Sequence, residues 1–115
     1  MKIVALDRVE KKQVVMDGAQ NAFKQVPISA KDGAPMFAVR VFTLGPGGHT
    51  PYHSHPFEHV NYVIEGDGVL LDEKGKKSRL NKNDFALILP NEKHQYRNEG
   101  DKPFVMICAV PKAYE

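Results

Sequence analysis

The chain has 115 residues, a length that predicts one domain able to bury a core without disulfides or other staples. Its 42% apolar and 26% charged residues are those of an ordinary globular protein, and a formal charge of +2 is too small to imply a nucleic-acid or membrane partner. One cysteine, Cys108, excludes an intramolecular disulfide framework; no apolar run approaches a signal peptide or a membrane span, so a reducing, cytoplasmic setting is expected.

Residues 1–35 are more polar and less regular than the rest. They are expected to form an N-terminal arm with one or two strands, over 12–16 and 22–28, laid on the main body or on a partner subunit. From residue 36 to 115, short apolar runs alternate with Gly, Pro, Asn and Asp, which is the all-β pattern. Strands are expected over 36–44, 59–64, 69–72, 77–80, 85–89, 95–98 and 104–110. Asp17-Gly18, Asp32-Gly33, the glycine-rich run 45–48, Glu65-Gly66-Asp67-Gly68 and Lys74-Gly75 supply turn residues tolerant of positive φ. Lys74, Lys76, Lys77 and Arg79 form the densest basic run, and around Gly75 they read as a solvated hairpin tip. So many short strands in so small a domain predict a sandwich or a barrel.

Four of the five histidines belong to one constellation: His53, His55 and His59, then His94. Alternate residues of a strand share a face, so His53 and His55 point the same way. His59 is a further even step on, and Pro56 can bend the chain between them. His94 begins another strand and closes the site from across a barrel. This spacing suffices to place four imidazole nitrogens around one ion, and imidazole is the commonest transition-metal ligand.

The segment from Gly47 through His53, His55 and His59 to Gly66 resembles the first motif of the cupin family. It carries His59 where that motif has glutamate. Asn83, Pro90, Asn91, His94 and Asn98 resemble the second motif, with the proline moved one place and both glycines replaced by asparagine. Asparagine is the non-glycine residue best able to adopt the left-handed conformation, so the turns are expected to survive. The resemblance covers roughly residues 36 to 111. It implies a single-domain jelly-roll β-barrel, a homodimer, and one divalent metal held by His53, His55, His59 and His94. Manganese or iron is favoured by the resemblance, with zinc or nickel open. Four neutral ligands would leave the ion's charge uncompensated, which favours anionic or enolate-like ligands.

Alternation also selects the lining. Asn61 and Val63 should face inward with His59, and Tyr96 and Asn98 with His94. Tyr96 reads equally as a proton or hydrogen-bond donor and as a space-filling ring. Arg40 reads as a solvent-facing edge residue or as a guanidinium holding a carboxylate. Cys108 reads as an oxidisable thiol or a small buried hydrophobe. Glu58, an odd step from His55 and His59, should face away, and His49 should lie at the mouth or on the surface. Tyr96, Arg40 and Asn61 are the candidate catalytic residues. No nucleophile elbow, phosphate loop or dinucleotide fingerprint is present, so any chemistry runs through the metal. Dioxygenase-type chemistry on a small oxygen-rich or carboxylate molecule is the favoured expectation. A Lewis-acid isomerase or lyase on a sugar acid, a non-catalytic ligand-binding protein, and a closed structural zinc site are the alternatives.

Overall fold

Nine antiparallel strands form where alternating side chains demand them. The computed structural model describes residues 1–115. The strands are β1 (Lys12–Gln13), β2 (Gln20–Ile28), β3 (Phe37–His49), β4 (His59–Glu65), β5 (Gly68–Leu71), β6 (Lys77–Leu80), β7 (Phe85–Ile88), β8 (Gln95–Arg97) and β9 (Phe104–Pro111). They pair in the order β6-β5-β8-β3-β9-β4-β7, with β2 on the other side of β3 and β1 beyond it. β3 pairs with β9 from Phe37 to Leu44, and its last residue, His49, pairs with Arg97 of β8. That change of partner curls the sheet into a nearly closed barrel, the expected jelly roll. No helix is long and apolar enough to cross a membrane.

β9 shows why the barrel closes on an apolar interior. Phe104, Met106, Cys108 and Val110 are buried on one face, while Val105, Ile107 and Ala109 on the other are half-buried. Phe104 and Met106 pack with Leu44, Val63, Leu80 and Ile88 into the main core. The first 35 residues supply β1 and β2. Gln25 of β2 donates from Nε2 to the carbonyls of Leu6 and Val9, at 2.9 and 3.0 Å, which ties the first turn to the sheet.

Two features depart from, or explain, the sequence-based expectation. The glycine-rich run 45–48 does not end β3. The strand continues to His49, and Asn21 alone faces Gly45 to Gly48 across a bulge between the pairs Gln20–His49 and Ala22–Leu44. A Cβ at Gly48 would stand 2.6 Å from the Asn21 carbonyl oxygen, so only glycine lets the strands approach there. Asn83 and Asn91, which replace glycines of the motif, sit at φ of 77° and 68°. They take up the left-handed conformation expected of them.

Candidate metal centre

The four histidines are brought together by backbone pairing. His53 and His94 form an isolated antiparallel bridge: His53 N–H donates to His94 O at 3.1 Å, and His94 N–H to His53 O at 2.9 Å. The Asn91 amide donates to His55 O at 2.8 Å, which fixes the intervening segment over the same turn. His59, the first residue of β4, pairs with Ile88 of β7. The resulting ring centroids lie 5.0 Å apart for His55–His59 and His55–His94, 5.1 Å for His59–His94 and 5.2 Å for His53–His94.

Hydrogen bonds at the far side of three rings decide which nitrogen is free. His55 Nδ1 lies 2.9 Å from Phe57 O, His94 Nδ1 2.7 Å from Glu92 O, and His59 Nδ1 2.7 Å from Asn61 Oδ1. Carbonyl oxygens only accept, so each Nδ1 carries the hydrogen and each Nε2 presents a lone pair. Burial holds His59 near a pKa of about 3, and burial likewise pulls His53 and His94 below the usual imidazole value. Those rings are neutral at neutral pH, the form that binds metal.

The nitrogens fit a shared cation. His59 Nε2 and His94 Nε2 are 3.3 Å apart, although neither carries a proton to share. Such a separation arises when both stand about 2.1 Å from one ion. His53, His55 and His94 each offer a ligand nitrogen within 4.8 Å of the others. His59, expected as the fourth ligand, is not part of that group of three; its Nε2 lies 3.3 Å from His94 Nε2.

Behind His59, Asn61 Oδ1 accepts a second hydrogen bond, from the Tyr96 hydroxyl at 2.7 Å. The Tyr96 amide donates to Thr50 Oγ1 at 3.0 Å, which fixes the residue from the backbone side. Burial raises the Tyr96 phenol far above its ordinary range, so it stays protonated. Arg40, Cys108 and Asn61 lie side by side across β3, β9 and β4, since Cys108 pairs with both neighbours. Arg40 points inward: Nη2 donates to Cys108 Sγ at 3.1 Å and the guanidinium lies over the Phe42 ring at 5.1 Å. Its Nε is buried with no hydrogen-bond partner. Burial pushes the Cys108 thiol up, against the pull of Arg40, so it is a protonated thiol.

These groups surround a cavity of about 590 Å³ that the four histidines, Asn61, Tyr96, Arg40 and Cys108 all line. Phe42, Phe57 and Met106 add apolar wall. Lys12, Lys24 and Arg40 line it, and no aspartate or glutamate does. Glu58 is exposed, as its odd spacing requires. His49 lies away from the cavity wall, with Nδ1 3.1 Å from Thr50 O and 3.3 Å from Gln95 Nε2. Asn98 is buried but does not line the cavity; its Nδ2 donates to the carbonyls of Leu44 and Lys102 at 2.8 and 2.7 Å and braces the turn before β9. Sequence reasoning missed Lys24, Lys12 and Phe57. The alternation of Ala22 and Lys24 on β2 carried a signal for the first, because Ala22 is a core residue.

Residues 40–110, more than half the chain, match the family described as Cupin domain. Over 96% of this chain and 79% of its own length, the polyketide cyclase RemF from Streptomyces resistomycificus superposes with a TM-score of 0.92 at 28% identity. A sugar phosphate isomerase from a cupin superfamily, from Silicibacter pomeroyi, has a TM-score of 0.75 at 22% identity, covering 96% of this chain and 75% of that one. Gentisate 1,2 dioxygenase 1 of Aquipseudomonas alcaligenes is 28% identical over 60 residues, 52% of this chain. The chain spans only 17% of that curated relative's length. With the motif residues gathered in one barrel and the family match running from β3 to β9, the chain belongs to the cupin family.

Proposed function

We propose that this cupin is a metal-dependent enzyme acting on a small, anionic, oxygen-rich organic molecule, with His53, His55, His59 and His94 as ligands of one divalent ion. The observation that carries the reading is the composition of the cavity wall: four imidazoles, three cationic side chains and no carboxylate. The one carboxylate beside the wall, Glu115, is paired with Lys24 and Arg40, so a dication at the imidazoles is left for an anionic ligand to offset. A divalent ion held by such neutral donors supplies Lewis acidity toward carbonyl and enolate oxygens.

The protein's own groups then have separate roles. Asn61 holds His59 in the tautomer that leaves Nε2 free and accepts a hydrogen bond from the Tyr96 hydroxyl at the same oxygen. Tyr96 is a fixed, protonated donor; releasing its bond to Asn61 lets it donate to an oxygen of the ligand. Arg40 offers the unpartnered Nε–H to an acceptor on the ligand. Phe42, Phe57 and Met106 keep water from the carbon skeleton.

Lewis-acid chemistry is favoured over oxygen activation by the all-nitrogen donor set, and a ring closure on an oxygen-rich molecule is supported by the likeness to the polyketide cyclase RemF, which runs along 96% of the chain. The dioxygenase reading is the second, supported by the 60-residue likeness to gentisate 1,2 dioxygenase 1. Elemental analysis of untagged protein and oxygen uptake by the metal-loaded form separate them. Redox-inert metal with no oxygen uptake is expected for the first reading, and substrate-dependent oxygen consumption would sink it. His59→Ala should lose the metal; unchanged metal content would show that the four-histidine assignment is wrong. We also propose that the working unit is a homodimer. The apolar outer face of β4 and β7, where Val60, Phe85 and Leu87 are exposed, supports it.

A further inference from the structure

Glu115 is the one carboxylate within ion-pair distance of the cations Lys24 and Arg40. Its Oε1 lies 2.7 Å from Lys24 Nζ and its Oε2 3.7 Å from Arg40 Nη1. The side chains of Glu115 and Arg40 are 9% and 13% exposed, so their contact is sheltered from solvent, while Lys24 is partly open to it at 36%. The preceding residue, Tyr114, stacks on Phe57 with centroids 3.9 Å apart and planes at 18°. Phe57 stacks in turn on the ligand candidate His55, at 3.9 Å and 8°. The last turn, Lys112–Tyr114, is thus followed by an ionic contact and carries an aromatic one, both made with residues of the cavity wall.

Lys24 is paired closely with Glu115, whereas Arg40 is under-used. Arg40 gives one hydrogen to a thiol sulfur, a weak acceptor, and its Nε–H meets none. Its 3.7 Å approach to Glu115 is too long for a hydrogen bond. A planar guanidinium binds a carboxylate best through two parallel hydrogen bonds, and Glu115 makes neither with Arg40. Lys24 and Arg40 are both wall residues, on a wall that has no acid of its own.

We propose that Lys24 and Arg40 form a carboxylate subsite of the cavity, and that Glu115 occupies it as a latch which a ligand's carboxylate displaces. Displacement frees the turn Lys112–Tyr114 and lifts Tyr114 from Phe57. The ligand class is a small organic carboxylate; the wall of Phe42, Phe57 and Met106 suits a planar carbon skeleton. This inference deepens the reading of the cavity as an anion-binding site, and it names residues that act independently of the metal ligands.

Benzoate and its neutral isostere benzamide test it by calorimetric titration of the metal-loaded protein. Benzoate should bind at least about tenfold more tightly than benzamide. Glu115→Gln removes the competing charge and should tighten benzoate about threefold, while Lys24→Met should weaken it about fivefold, both with metal content unchanged. In proton NMR, saturating benzoate should shift the Tyr114 ring resonances toward their unstacked positions. Benzoate that binds no better than benzamide, or not at all, would overturn the subsite. Equal benzoate affinity in Glu115→Gln and the parent, or an unmoved Tyr114 ring, would overturn the latch. Failure of the metal assignment reads out separately, as protein lacking metal on elemental analysis that still discriminates benzoate from benzamide.

Discussion

Asn61 carries more of the site than its size suggests. One amide oxygen accepts from both His59 Nδ1 and the Tyr96 hydroxyl, at 2.7 Å each. Asn61→Ala leaves two buried donors unpaired and lets the His59 ring turn. Metal affinity is expected to fall about 10- to 100-fold, and stability by about 1–3 kcal/mol. Metal titration and thermal melting check the two effects. His59 also sets a pH dependence for the metal-free protein. Its pKa falls from the model-compound value of 6.5 to about 3 on folding, because burial disfavours the charged ring. A depressed folded pKa gives stability that is complete above about pH 6.5 and is lost as pH falls toward 3. Melting temperature should therefore drop by at least ~5 °C between pH 7 and pH 4. A melting temperature that holds constant over that window would contradict the buried, neutral ring. At this scale the sequence was readable where chemistry and period coincide. Even spacing put Asn61 with His59 on β4, and Tyr96 with His94, on the cavity side; His53 and His55 lie outside the strands, on an isolated bridge and the loop after it, and their bonds to His94 and Asn91 place them. Lys24 escaped notice because its charge masked the alternation it shares with Ala22, and Glu115 because it follows a short turn that has no strand period.

At the level of elements, the strand positions followed from alternation, and their ends followed from turn chemistry. The run Gly45-Pro46-Gly47-Gly48 is the exception, since it has the composition of a turn yet lies within β3. The reason is tertiary. Asn21 Nδ2 donates to Pro46 O at 3.2 Å, and Asn21 takes φ of 45° to face the bulge, so a partner strand keeps the run in the sheet although Gly47 sits at φ of 75°. Composition alone does not report that partner. Gly68 was read as turn chemistry too, but packing fixes it. It opens β5 against the fully buried Phe104, and a Cβ there would run into the ring. Gly68→Ala is expected to cost about 1–3 kcal/mol, as overpacking does in a filled core. Chemical denaturation would measure it, and an unchanged midpoint would show that Phe104 can move aside.

For the molecule as a whole, the barrel was foreseeable from the resemblance, whereas the outer surface was not. Val60 pairs with Leu87 and Tyr62 with Phe85 on the outward side of β4 and β7, and β7 is the last strand of the sheet path. Phe85 and Leu87 are 71% and 55% exposed, which is unusual for neighbouring large apolar residues on a strand. A two-fold-related copy covers such a patch with its own equivalent. Sedimentation should give about twice the chain mass of 12.9 kDa, and Leu87→Lys should return it to that value with metal content intact. A parent protein that sediments as a monomer would remove the dimer proposal.

The lateral row Arg40–Cys108–Asn61 has a consequence for how such a barrel can change its chemistry. Neighbours in a row are set by register, and β9 stands between the other two strands. Sliding β9 by two positions would keep its inward face inward, yet bring Met106 or Val110 between the guanidinium and the amide. The thiol would give way to a thioether or a branched alkane while the fold persisted. A barrel of this kind stores its reactivity as an alignment of columns, so that registration between strands, as well as the identity of residues, is a variable on which selection or design can act.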